Sequence, residues 1–174
     1  WYMPSIGEHW IHNSLSILGL AVYFKIDFTE ILGSLSSFEV PQGRGNIINL
    51  RYKERSFLLI DDSYNSNPAS LIASLNSFSK LKVMGKKFLI LGDMLELGEE
   101  SKEIHKELGR KIEKFQFNIL YTVGINMLEM SKVLKNIKYK YHDDNLDRIS
   151  ENILKSLESG DAILLKGSNS INLK

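Results

Sequence analysis

The chain contains no cysteine, which excludes disulfides, thiolate zinc sites and a cysteine nucleophile together and suits a reducing cytoplasm. It has no excess of either charge. Its 22 Lys and Arg are matched by 21 Asp and Glu, for a formal net charge of +1. The two signs interleave and form none of the basic stripes that mark a nucleic-acid binder. No long apolar run is present: the longest near the start, Ile17 to Phe24, is interrupted by Gly19 and falls far short of the roughly 20 residues that span a bilayer. The opening WYMPSIGEHW has neither the basic region nor the small-residue cleavage pattern of a signal peptide. It also lacks an initial Met, so a piece of something longer is expected. Nothing matches G-x-x-x-x-G-K-[ST], because Lys86 and Lys87 follow Gly85 with no earlier spaced glycine and no hydroxyl after them. This chain cannot cradle a triphosphate in that way by itself.

What is present is an ordinary globular composition, 43% hydrophobic and 25% charged in 174 residues, enough for one well-cored domain with a smaller appendage. Residues from about His12 to Phe24 are apolar on most faces and read as a buried helix. A second helix follows Asp27, with Phe28, Ile31, Leu32 and Leu35 at helical spacing. The loop VPQGRGN then leads into two strands, Ile47 to Tyr52 and Phe57 to Asp61, separated by the charged turn Lys53-Glu54-Arg55. From there strands alternate with helices. Phe88 to Leu91, Ile119 to Val123, Tyr139 to Tyr141 and Ala162 to Leu165 are strands; Ile104, Leu108, Ile112 and Leu146, Ile149, Ile153 mark helices. Such alternation predicts an α/β fold, a doubly wound, mostly parallel sheet with helices on both faces.

In such sheets ligands bind outside the carboxyl ends of the strands. The polar clusters DDSYNSN, GDMLELG, HDD and KGSNS fall there. Within the first, Asn67 and Pro68 read as the cap and first residue of a helix, whereas Asp62, Tyr64 and Asn65 have no such duty and are functional candidates. A carboxylate at a strand end can accept two hydrogen bonds from a ribose diol, and a helix N-terminus favours an anion. Arg44, between Gly43 and Gly45, has no packing purpose and can fork onto phosphate or ribose oxygens. Met94, Leu95 and Leu97 are expected to pack on the sheet, while Asp93 and Glu96 stay uncommitted. His105 is a solvated or partly buried structural histidine. His9 and His12 can share a helical face but lack a third ligand, so no metal site is expected.

In order along the chain, GEHWIHN, GRG, LLIDDSYNSNP, LILGDMLELGEES with His105 following, and LLKGSNS resemble the Mur ligases of peptidoglycan synthesis. Within that family, DDSYNSNP and LGDMLELGEES resemble the branch that adds D-alanyl-D-alanine to UDP-N-acetylmuramoyl-tripeptide. The likeness runs from Gly7 to Ser170. It implies that residues 1–40 are the helical end of a central ATP-binding domain and residues 41–174 a C-terminal Rossmann-like domain. The family's phosphate-binding loop, magnesium ligands and carbamylated lysine would then lie upstream of Trp1.

The implied reaction is ATP-dependent amide formation through an acyl phosphate, with ATP and Mg2+ as cofactors and the two missing domains as partners. The implied positions are His9 and Asn13 near adenine, Arg44 and Asp62 near ribose and phosphate as catalytic groups, and Tyr64, Asn65, Asn67 and Ser168 near the dipeptide or phosphates. Trp10 stands where the family usually has Asn, and Asn169 where it usually has Arg. Two other readings stay open: a stand-alone, non-catalytic nucleotide- or peptide-binding module, and a folylpolyglutamate-type ligase, against which the LGDMLELG loop argues.

Overall fold

A computed structural model describes residues 8–115 and 117–173, except for the side chains of residues 8 and 9. Two helices come first, α1 (Glu8–Phe24) and α2 (Phe28–Ser36). Asp27 starts α2 by accepting the N–H groups of Thr29 and Glu30, which satisfies two donors that a helix start otherwise leaves open. The hairpin β1 (Asn46–Tyr52) and β2 (Arg55–Asp61) follows. After it come α3 (Pro68–Lys80), β3 (Lys87–Gly92), α4 (Ser101–Ile112), β4 (Ile119–Val123) and α5 (Ile125–Val133). The chain ends through β5 (Tyr139–His142), α6 (Leu146–Ser156) and β6 (Ala162–Lys166).

The six strands form one sheet in the order β1-β2-β6-β3-β4-β5, with only β1 antiparallel. Side chains alternate between the faces as strand geometry requires. Leu89, Leu91, Leu120 and Leu164 meet Leu71, Leu75 and Phe78 of α3, Leu108 and Ile112 of α4, and Met127 and Met130 of α5. On the other face Phe88, Ile90, Tyr121, Ile163 and Leu165 meet Ile149 and Ile153 of α6. The connections from β2 through β5 advance in one direction, so right-handed crossovers place α3, α4 and α5 together. The step from β5 to β6 runs backwards and sends α6 to the opposite face. This is the expected doubly wound arrangement, and it seats β6 between β2 and β3.

One expectation is corrected. The helix over His12 to Phe24 exists, but it is not buried: Leu20 is 58% and Tyr23 78% exposed, while Ser14, Leu18 and Ala21 are covered. An all-round apolar helix needs cover on every side. Among the described residues α1 packs chiefly on α2, with the Trp10 ring 5.5 Å from that of Phe38. Among the described residues no helix is long and apolar enough to cross a membrane.

Candidate functional site

The carboxyl ends of β2, β6, β3 and β4 line one edge of the sheet, and the polar loops meet there. Asp61 ends β2 with its side chain buried, and its Oδ1 accepts the N–H and hydroxyl of Ser63. The N–H of Asp62 donates to the carbonyl of Leu165 at 3.0 Å, extending the pairing of β2 with β6 by one residue. Asn67 then caps α3: its Oδ1 accepts the Ser70 N–H at 2.8 Å while Ser70 Oγ accepts the Asn67 N–H at 3.0 Å, a reciprocal pair that fixes where the helix begins.

The glycine-flanked loop is joined to this turn. Gly43 has φ +77° and its carbonyl accepts the Tyr64 N–H at 2.9 Å. A Cβ at Gly43 would lie 2.9 Å from that same nitrogen, so both the backbone conformation and the close approach require glycine. Gly45 donates to the Asp61 carbonyl at 2.8 Å. Between them Arg44, itself exposed, holds its guanidinium 4.1 Å from the centroid of the half-exposed Tyr64 ring. The expectation that Arg44 has no packing purpose is thereby corrected, since it stacks on Tyr64. The residue stays exposed, so its guanidinium can still donate to oxygens.

Asp62 also has a duty that the sequence did not reveal. Its Oδ2 accepts from Lys166 Nζ at 2.9 Å and from Ser74 Oγ. It is therefore part of a partly buried ion pair rather than an uncommitted carboxylate. Lys166 and Ser74 were missed because a lysine ending a strand and a serine inside a helix carry no local signal of burial. Asn65 is exposed, and its Oδ1 accepts the N–H of Ser66. The Ser66 hydroxyl is buried without a hydrogen-bond partner among the described residues, an arrangement that native interiors rarely leave in place.

The loop after β3 is pinned from three directions. Asp93, uncommitted in the sequence, is buried and anchors the start of α5: Oδ1 accepts the Met127 N–H at 2.7 Å, and Oδ2 accepts both the N–H and the side-chain amide of Asn126. The negative carboxylate thus sits at the positive end of a helix. Met94 is fully buried and Leu97 packs against the core, as expected, whereas Leu95, also expected to pack, is exposed. His105 is not solvated but fully buried. Its Nδ1 hydrogen-bonds the Ser101 carbonyl at 2.7 Å, and Nε2 accepts the Met94 N–H at 3.1 Å, so the ring is neutral with its proton on Nδ1. Ser168 joins this loop to the end of β6. It accepts the Leu95 N–H at 2.8 Å through Oγ and donates its own N–H to the Asp93 carbonyl at 3.0 Å. At the far end of the rim, Asp144 accepts the Gly124 N–H at 2.9 Å, and the backbone N–H of Asn145 holds the Asp143 carboxyl below its usual range.

Arg44, Asp62, Tyr64, Asn65, Asn67 and Ser168 thus share one edge. Asn13 does not join them by any hydrogen bond among the described residues; it is exposed on α1, which packs on α2 rather than the sheet. The side chain of His9 lies outside the described residues. Among the described residues no group of three or more His, Asp or Glu could hold a metal ion.

The family model described as the Mur ligase, glutamate ligase domain, matches residues 43–169, a span that begins at Gly43 and closes on the loop after β6. The chain belongs to the Mur ligase family. Among related Mur ligases, the UDP-N-acetylmuramoyl-tripeptide--D-alanyl-D-alanine ligase of Borreliella burgdorferi is 30% identical over 165 residues, 94% of this chain and 34% of that protein. The Bacillus subtilis enzyme of the same name is 30% identical over 180 residues, 99% of this chain and 38% of its own length. The chain therefore spans roughly a third of these Mur ligases. Its fold is that of MurF from Acinetobacter baumannii, with a TM-score of 0.80 at 24% identity over 98% of this chain and 37% of that one. The MurF ligase of Thermotoga maritima, solved in complex with ADP, matches with a TM-score of 0.62 at 30% identity, covering 81% of this chain and 31% of that one.

Proposed function

We propose that this chain is the C-terminal part of an ATP-dependent ligase that joins D-alanyl-D-alanine to UDP-N-acetylmuramoyl-tripeptide, and that its rim is the surface that closes on nucleotide and dipeptide. The observation that carries the reading is the convergence of GRG and DDSYNSN into one surface, with Arg44 4.1 Å over Tyr64, inside the segment that matches the Mur ligase family. Relatives named for that reaction cover nearly the whole chain, and the ADP complex of a 30%-identical neighbour supports a nucleotide as one ligand.

The residues suit an anionic, sugar-bearing nucleotide. Arg44 offers donors to phosphate or ribose oxygens, and the Tyr64 ring presents a flat apolar surface beside it. ATP, when bound, supplies the phosphoryl group that activates the tripeptide carboxylate. The chain's own residues position the reactants and exclude water: Arg44 neutralises charge, Asp62 faces the ribose or phosphate, and Asn65, Asn67 and Ser168 lie toward the dipeptide. Closure of this kind keeps an activated carboxylate from hydrolysis.

Among the described residues no group of three or more His, Asp or Glu could hold magnesium by itself; we assign its protein ligands to sequence upstream of Trp1. We assign residues 1–40, with His9 and Asn13, to the end of the central domain, and the exposed apolar surface of α1 to contact with the rest of that domain. The isolated chain is then inactive. We place the enzyme in the cytoplasm, which its cysteine-free composition suits. Reading the gene upstream of Trp1 tests the proposal. An in-frame G-x-x-G-K-[ST]-like loop supports the ligase, and a start codon at that point supports a stand-alone module instead.

A further inference from the structure

Lys166 ends β6 with only 2% of its surface exposed, and its ammonium has three acceptors. They are Asp62 Oδ2 at 2.9 Å, the Asn65 carbonyl at 2.9 Å and the Asp62 carbonyl at 3.4 Å. All three belong to the turn after β2, on the neighbouring strand. An ammonium held this far from water is tolerated only when paired, and its three donors are all used here. Two of the acceptors are main-chain carbonyls, so the charge fixes the path of the backbone on which Tyr64 and Asn65 are mounted, not merely the rotamer of Asp62. Buried ion pairs add little net stability, because desolvation offsets the attraction. What such a pair can contribute is a single conformation where an apolar side chain of equal volume would permit several.

We propose that Lys166 is a positioning residue: it holds the Asp62–Asn65 turn in the shape that places Tyr64 against Arg44 and Asn65 on the rim, and ligand binding at the rim depends on its charge. This rests on the reading of the rim as the ligand-closing surface. Lys166 does not itself reach a ligand, being covered by the turn that it holds.

The test uses the complete polypeptide that carries this chain, with ATP, Mg2+, UDP-N-acetylmuramoyl-tripeptide and D-alanyl-D-alanine, and compares wild type with Lys166→Met. The expected result is a KM at least tenfold higher for ATP or the dipeptide, with kcat within threefold of wild type. Amide hydrogen exchange should rise at least tenfold across residues 63–67 and stay unchanged in β3 and β4. Should Lys166→Met fail to fold, Lys166→Gln, which keeps a donor but neither charge nor reach, takes its place with the same expectation. A folded variant with both KM values within twofold of wild type overturns the positioning role, and so does failure of both variants to fold, which would make Lys166 a requirement of the fold alone. A wild-type polypeptide that shows no dipeptide-dependent phosphate release overturns the reading of the rim, and the positioning role with it.

Discussion

The Arg44 guanidinium lies 4.1 Å from the Tyr64 ring centroid, so a loop preceding the sheet and a turn following its second strand make one surface. The stack is held from beneath by backbone, through Gly43 to Tyr64 and Gly45 to Asp61. Removing the Arg44 side chain therefore takes away chemistry without taking away the loop.

Arg44→Ala in the complete polypeptide is expected to raise KM for ATP about tenfold or more, the loss of one charge-assisted contact. The melting free energy should change by no more than about 1 kcal/mol, the value of an exposed cation–π contact. Steady-state kinetics paired with a thermal melt separates the two.

Asp62→Ala behaves differently. It strands the Lys166 ammonium, 2% exposed, without its counter-charge, whereas Asp62 itself is 18% exposed and has water within reach. Loss of the carboxylate is expected to destabilise this chain by about 3 kcal/mol, and more than Lys166→Met does. Urea unfolding of the two variants orders them, and the reverse order contradicts the pairing.

Gly124 precedes α5 with φ +96°, and a Cβ there would fall 2.3 Å from the Asp93 carboxyl carbon. Gly124→Ala combines left-handed strain with displacement of the carboxylate that anchors the helix start, and about 3 kcal/mol of destabilisation is expected. Asp93→Ala, which removes the anchor but not the space, should cost about 2 kcal/mol. Circular-dichroism melts of the 174-residue chain measure both.

Acid should weaken the fold through carboxylates held by backbone N–H groups. Glu113 accepts from Lys135 and Asn136, and Asp143 from Asn145; these bonds hold both carboxyls below their ordinary values. A group whose pKa is lower when folded stabilises above its unfolded pKa, and that contribution is lost as pH falls through the folded value. The melting temperature is expected to be level from neutrality to about pH 5 and to fall below it. Glu113→Gln should make that fall shallower, and an unchanged acid limb in the variant removes Glu113 from the account.

Much of this architecture was legible in the sequence. Ile119 to Val123 is a strand with the bounds its apolar run suggests, and Asn67-Pro68 opens a helix where cap chemistry places it. What the sequence withheld is pairing at long range. Lys166 and Asp62 are 104 residues apart, and nothing in LLKGS indicates that its lysine points into the protein. His105 lies on a helix whose apolar stripe was plain, yet its burial depends on two backbone partners, one of them in the preceding loop. For α1 the apolar pattern was visible, and the error was to assume cover on every side, which the described residues do not supply.

The exposed face of α1 gives a further expectation. Leu20 and Tyr23 are largely exposed here, so Leu20→Glu with Tyr23→Glu should leave the melt of the isolated chain within about 0.5 kcal/mol. In the complete polypeptide the same pair should be destabilising, because that surface would then be covered. Equal effects in both settings would mean that the α1 surface stays open.

The most direct measurement is phosphate release from ATP by the complete polypeptide, with UDP-N-acetylmuramoyl-tripeptide present and D-alanyl-D-alanine added or withheld, for wild type and Tyr64→Ala. Release that depends on the dipeptide in wild type, with at least a tenfold loss of kcat/KM at an unchanged melting temperature in Tyr64→Ala, is the predicted result. Dipeptide-independent release, or a Tyr64→Ala enzyme as efficient as wild type, would contradict the assignment of this rim to the reaction.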